Sequence, residues 1–113
     1  MHRMGKIEYR EDGVMVVSGE EYIERLCRAL SNSTRVRIME LLLSTGGISV
    51  SEIASKLGRT KADTSLSVRL LDHAGLVNIS YKPGVRGIKK IVEPRVREIR
   101  IVLGPPQRYG EKA

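Results

Sequence analysis

The sequence predicts a mainly α fold with a small β component (α+β). Three observations predict it. Apolar residues recur at helical spacing through the middle of the chain, from about residue 20 to residue 75. On either side, at Lys6–Val17 and again after Gly75, the period drops to two. Between these, cap residues in front and glycines behind divide the middle into four short helices. A chain of 113 residues fits one domain with one modest core. The expected division is an N-terminal hairpin over 1–17, a helical core over 20–75 with a helix–turn–helix pair at 51–74, a second hairpin over 76–93, an extra strand over 96–103 and a polar tail over 104–113.

In chain order, Lys6–Arg10 alternates with Ile7 and Tyr9 on one face, Val14–Val17 is apolar, and Asp12-Gly13 between them is a strong turn signal. Ser18, with Glu21 three residues on, reads as the capping box of a first helix carrying Tyr22, Ile23, Leu26, Cys27 and Leu30. Asn32 reads as the next cap. It opens a helix with Val36, Met39, Leu42 and Leu43 on one stripe, stopped by Gly46-Gly47. Ser49-Val50-Ser51-Glu52 is a second Ser-x-x-Glu box before a third helix ending at Gly58, and Thr60 with Asp63 caps a fourth that runs to about Ala74. Leu76–Lys82 and Ile88–Glu93 then alternate around Pro83-Gly84-Val85-Arg86-Gly87, and Val96–Leu103 alternates through Ile99, Ile101 and Leu103. Pro105-Pro106 is expected to end ordered structure.

Charge points to the partner. Lys and Arg total 20 against 13 Asp and Glu, a formal net charge of +7. From Lys82 to Arg100 there are seven basic residues and only two acids, so the excess is clustered. A small basic domain with a concentrated patch suits a polyanion. The single cysteine, Cys27, excludes an internal disulfide and suits a reducing, cytoplasmic setting. No run of apolar residues approaches the length of about 18 needed to span a bilayer, and the N-terminus lacks the apolar stretch of a signal peptide. Neither a nucleophile–base–acid set nor a phosphate-cradling glycine loop is legible, so an enzyme is not expected.

Two short helices joined by a tight glycine-containing turn and followed by a basic hairpin describe a winged helix-turn-helix. At this point the sequence resembles a family. Ala29-Leu30-Ser31-Asn32-Ser33-Thr34-Arg35-Val36-Arg37-Ile38-Met39-Glu40-Leu41-Leu42 looks like the L-x-[D/N]-x-T-R-x-x-I-L-x-L-L opening of ArsR-type repressors. Ser51-Glu52-Ile53-Ala54-Ser55-Lys56-Leu57-Gly58 looks like their E-[LI]-A-x-x-L-G helix, and Leu70-Leu71-Asp72-His73-Ala74-Gly75-Leu76-Val77 like their L-x-x-A-G-L-V ending. The resemblance covers roughly Leu26 to Val92. It implies a DNA-binding fold and a homodimer. Metal-sensing members read Cys-Val-Cys where this chain has Ser49-Val50-Ser51, and hydroxyls cannot replace thiolates toward soft metals. The other usual site, acids and histidines on a C-terminal helix, has no counterpart in a chain with only His2 and His73. No metal and no other cofactor are therefore expected, and the serines read as a cap.

On the fourth helix Thr64, Val68 and Leu71 should face the core, which turns Lys61, Ala62, Ser65, Leu66 and Arg69 outward. Lys61 and Arg69 can reach phosphate or guanine, Ser65 a base or a phosphate, and Thr60 sits where a helix start can meet a phosphate. Leu66 departs from the family's usual polar residue and suits a thymine methyl or a partner chain. The wing contributes Lys82, Arg86, Lys89 and Lys90, with Tyr81 beside them and glycines that allow close approach to a backbone. Cys27 reads as a small core or interface residue, and Arg95, Arg97 and Arg100 as an extension of the basic surface or part of a dimer interface. The reading is a sequence-specific double-stranded DNA-binding transcriptional regulator acting as a homodimer and not responsive to metals. Two alternatives stay open: a protein-interaction winged-helix module, and a sequence-indifferent chromatin-type nucleic-acid binder.

Overall fold

The computed structural model describes residues 5–104. The proposed tail and its Pro105-Pro106 lie outside the described residues, apart from Gly104. The elements are β1 (Lys6–Arg10), β2 (Val14–Ser18), α1 (Glu20–Leu30), α2 (Ser33–Thr45), β3 (Ile48–Ser49), α3 (Val50–Leu57), α4 (Lys61–His73), β4 (Val77–Gly84), β5 (Gly87–Pro94) and β6 (Glu98–Val102). They form a four-helix core between two three-stranded sheets of order β1-β2-β6 and β3-β5-β4.

The first sheet is where local reading and structure diverge most. β1 and β2 form the expected antiparallel hairpin, but β6 returns from the other end of the chain to pair with β2 in parallel, Val14 opposite Glu98 and Ser18 opposite Val102. The last strand is thus part of the N-terminal sheet rather than an addition to the wing. Ile7, Val17 and Ile101 share one cross-strand row, and Tyr9, Met15 and Ile99 the next, on the face that buries Met15 and Val17 completely. This pairing also removes the expected first cap. Ser18 stays in β2, bonded between Lys6 and Val102, so Gly19 takes the cap position and no side chain caps α1.

The other helix starts behave as read. Asn32 Oδ1 accepts from the backbone N–H groups of Thr34 (2.8 Å) and Arg35 (3.4 Å). Ser49 Oγ accepts from Glu52 N at 3.1 Å while Glu52 Oε1 accepts from Ser49 N at 3.2 Å, a complete capping box. Thr60 Oγ1 accepts from Asp63 N at 3.0 Å. Each cap satisfies donors that a helix start otherwise leaves free, and each is worth about 1 kcal/mol. At the far end of α1, Arg35 does the complementary job. Its Nε donates to Ala29 O (2.7 Å) and its Nη2 to Arg28 O (3.1 Å), so a cation meets the carbonyls at the C-terminal end of the helix.

The core gathers Leu26 and Ala29 of α1, Ile38, Met39 and Leu42 of α2, Ile53 of α3, Val68 and Leu71 of α4, Leu76, Val77 and Val92. Two helical stripes are rotated from expectation. On α2, Ile38 is buried (1% exposed), whereas Val36 and Leu43 are open at 39% and 45%. On α1, Cys27 is exposed, because Leu26 and Ala29 form the buried line and Cys27 falls one step round the helix. Cys27 is therefore not a core residue.

The N-terminal sheet is locked to the end of α4 through Tyr9. Its hydroxyl donates to Gly75 O at 2.7 Å, and the Arg95 guanidinium lies 3.6 Å from its ring centroid. Gly75 has φ +81°, and a β-carbon there would collide with the Tyr9 oxygen, so this turn requires glycine twice over. The missed element is β3, two residues that pair Ile48 with Val92 and Ser49 with Ile91, joining the start of α3 to the wing.

Candidate nucleic-acid interface

The motif is built around the turn between α3 and α4. Gly58 ends α3 in the left-handed conformation, and Arg59 N donates back to Ala54 O at 2.9 Å, closing the last turn. Arg59 then reaches across, its Nη2 donating to Thr34 Oγ1 at 3.2 Å, so the turn is tied to the start of α2. Beside it lies a groove of about 240 Å³ lined by Asn32, Thr34, Arg59, Asp63, Leu66 and Ser67 among others. Arg59 was not among the sequence candidates. Its position in the turn was the available signal, but its role depends on α2, which local spacing does not report.

On α4, Thr64, Val68 and Leu71 are 3%, 0% and 0% exposed, and this buried line fixes which residues face outward. Lys61, Ala62 and Arg69 are exposed, and Leu66 stands 55% exposed. Thr60 is exposed at the cap, although its hydroxyl is already engaged by Asp63 N. Ser65 is only half-buried on the flank of this face, as is Ser67, so Ser65 is less available than the spacing suggested.

The wing is longer than read, reaching Gly84 and resuming at Gly87. Pro83 is accommodated because β4 is an edge strand. The register divides the cations. Lys82 is directly opposite Lys89 on one face, while Lys90 is opposite Tyr81 on the other. Lys82, Arg86 and Lys89 are exposed and Lys90 is half-buried. Like charges placed opposite each other in a ladder disfavour the free hairpin. The Lys89 charge also reaches Glu52, whose carboxyl is held below its ordinary value, first by the Ser49 backbone N–H, then by the Ser49 hydroxyl, and further by Lys89 and Lys56.

Ion pairing separates the two ends of the molecule. Among the described residues the ion pairs are Arg10–Glu8, Arg25–Glu21, Arg28–Glu24, Arg97–Glu98 and Arg100–Glu98. All lie in β1, α1 and β6 or beside them. Lys61, Arg69, Lys82, Arg86, Lys89 and Lys90 are in none of them. Arg95, stacked on Tyr9, and Arg97 and Arg100, paired with Glu98, belong to the N-terminal sheet rather than to the wing.

Residues 30–79 match the model of a helix-turn-helix domain family. Among solved structures, a fragment of a possible transcriptional regulatory protein from Mycobacterium bovis superposes with a TM-score of 0.58 at 25% identity, over 66% of this chain and 75% of that one. The solution structure of the same fragment, described as a homodimeric winged helix-turn-helix DNA-binding domain of a possible ArsR-family regulator, gives 0.57 at 25% identity, over 66% and 65%. This chain has the winged helix-turn-helix fold and is similar to these regulators. A transcriptional regulator homologue from Pyrococcus horikoshii is similar at 26% identity and TM-score 0.54, over 66% of this chain and 75% of that one. No curated protein matches significantly. Within the winged helix-turn-helix, α3 and α4 are the two helices of the motif and β4–β5 the wing. Of the two serines that the resemblance sets against thiolates, Ser49 is buried to 2% exposure and committed to the cap of α3, while Ser51 is exposed.

Proposed function

We propose that the chain is a sequence-specific double-stranded DNA-binding transcriptional regulator that acts as a homodimer. The observation that carries the reading is the distribution of unpaired cations. Between residues 31 and 95 there are eleven Lys and Arg against five Asp and Glu, and the exposed cations of α4 and the wing pair with no acid among the described residues. Such charges are free to replace the counterions condensed on DNA. In this reading α4 enters a major groove, where Lys61, Arg69, Leu66 and the less accessible Ser65 meet base edges or phosphates and Thr60 a phosphate. Lys82, Arg86, Lys89 and Lys90 hold the adjacent backbone.

A homodimer is supported by the similar Mycobacterium bovis domain, described as homodimeric, and by the economy of reading two half-sites with one motif. The proposed dimer surface is α1 with the terminal strands, where Cys27 is exposed and Ile101 and Leu103 stand 45% and 87% open. In this reading the protein works in the cytoplasm; no helix among the described residues is long and apolar enough to cross a membrane. Response to metals is not part of the reading, because Ser49 is occupied as a cap and its hydroxyl is a poor ligand for soft ions. Stoichiometric Zn(II) uptake in titration calorimetry would contradict that part. The whole reading is tested by selecting duplexes from a random pool and comparing gel shifts of selected and random duplexes at two salt concentrations. Preference for selected duplexes supports it. Binding without preference replaces it with a charge-driven architectural binder, and no binding with a protein-interaction module centred on Leu66.

A further inference from the structure

The wing carries a feature that phosphate contact does not use. Val85 at its tip is fully exposed (103%), Ile88 is 77% exposed and Tyr81 66% exposed. Tyr81, Pro83 and Ile88 lie on one face of the hairpin, since Tyr81 pairs with Lys90 and Pro83 with Ile88. Gly84 pairs with Gly87, so Val85 and Arg86 form the turn at the apex, and Gly87 at φ +108° takes the backbone conformation that a side chain would resist. The apolar tip is flanked by Lys82 and Lys89 on the opposite face, by Lys90 on its own, and by Arg86 beside it. Exposed apolar side chains gathered at one tip and rimmed by cations suit an interaction site. Its complement is anionic at the rim and apolar within. The DNA minor groove, with phosphates at its lips and stacked bases between them, has that character.

We propose that the wing tip is a wedge that enters the minor groove and deforms the duplex, with Val85 and Ile88 pressed against a base step while Lys82, Arg86 and Lys89 hold the flanking phosphates. This rests on the DNA-binding reading and adds an activity to it, the bending of DNA at the wing. Apolar side chains that part a base step open it toward the major groove and bend the helix axis, and the distortion is cheapest at flexible pyrimidine–purine steps. The wing would therefore contribute sequence preference through deformability rather than through base hydrogen bonds.

The test uses the full chain and a duplex of about 30 base pairs with donor and acceptor dyes at its ends, a length over which a bend is readily seen. The duplex carries a sequence enriched by selection, or a mixed sequence if none is enriched, so a failure of sequence preference leaves this test intact. The wild-type chain is expected to shorten the dye separation on binding. The Val85→Ser/Ile88→Ser variant is expected to bind about ten-fold more weakly, keep the salt dependence of the wild type and leave the duplex straight. Val85→Leu, with the apolar bulk retained, is expected to bend the duplex as the wild type does. Both positions are exposed, so the thermal melt should be unchanged. The proposal is overturned by a duplex that stays straight with the wild-type chain, or by equal bending in the serine variant. It is also overturned if phosphatidylserine vesicles bind the wild type and not the serine variant while DNA binding is the same for both, which would assign the tip to a lipid surface.

Discussion

At the scale of single residues, the most legible features were short-range hydrogen bonds. Asn32, Ser49 and Thr60 could be named as caps because a cap depends on residues two or three positions away, and the sequence prints that relation directly. Ser18 carried the same signature and does not cap, because its fate is set by pairing with Lys6 and Val102, the latter eighty-four residues distant. Cys27 and Val36 were misplaced for a related reason. Helical spacing defines a stripe but not its width, and only the packed neighbours decide which edge of the stripe is buried. The Ser49–Glu52 box also has a pH signature. The folded state favours the ionised Glu52, so its contribution is present above the carboxyl's ordinary value and is lost as pH falls through the lowered folded value. Glu52→Gln should therefore flatten the fall of melting temperature as pH drops through the ordinary carboxyl range and below it, measured by circular dichroism. An identical acid profile in both proteins would mean that the box contributes no pH-dependent stability.

At the scale of elements, the four helices, the first hairpin and the wing were legible, since each is fixed by a local period and local punctuation. What spacing could not report is partnership. β3 is too short to show a period and exists because Val92 and Ile91 are there to pair with it. β6 was legible as a strand, but its parallel pairing with β2 is a property of the folded chain. The wing's two faces likewise follow from register. Because Lys82 and Lys89 are opposed on one face, their neutralisation should act with opposite signs on the free and bound protein. Lys82→Gln/Lys89→Gln should reduce the salt slope of DNA binding by up to about two units, at about one counterion per lost phosphate contact. The same change should leave the free protein as stable as before or more stable, by up to about 0.5 kcal/mol, since a like-charge pair is removed. Gel shifts across a salt series and a thermal melt of the free protein measure the two effects. An unchanged slope would remove this face of the wing from the contact surface.

At the scale of the whole molecule, the charges sort themselves. The end built from β1, α1 and β6 pairs its arginines within itself, through Glu8, Glu21, Glu24 and Glu98. The helix-turn-helix and wing leave theirs open. The net charge suits a polyanionic partner, but the division between paired and unpaired cations needed the folded chain, as did the Arg59–Thr34 bond that ties the motif's turn to α2. The central claim is that α4 is the element that reads DNA, and Lys61 and Arg69 are its exposed cations, eight residues or about 12 Å apart along a helix. The most direct measurement is the affinity of the Lys61→Ala/Arg69→Ala chain for a selected duplex and for a random one, by fluorescence anisotropy, with the fold confirmed by circular dichroism. A base contact at either residue predicts a loss of about 1–3 kcal/mol on the selected duplex, with less on the random one, so that the preference narrows. Affinities unchanged from wild type on both duplexes would contradict the claim, since a helix seated in the groove cannot lose both of its exposed cations without effect.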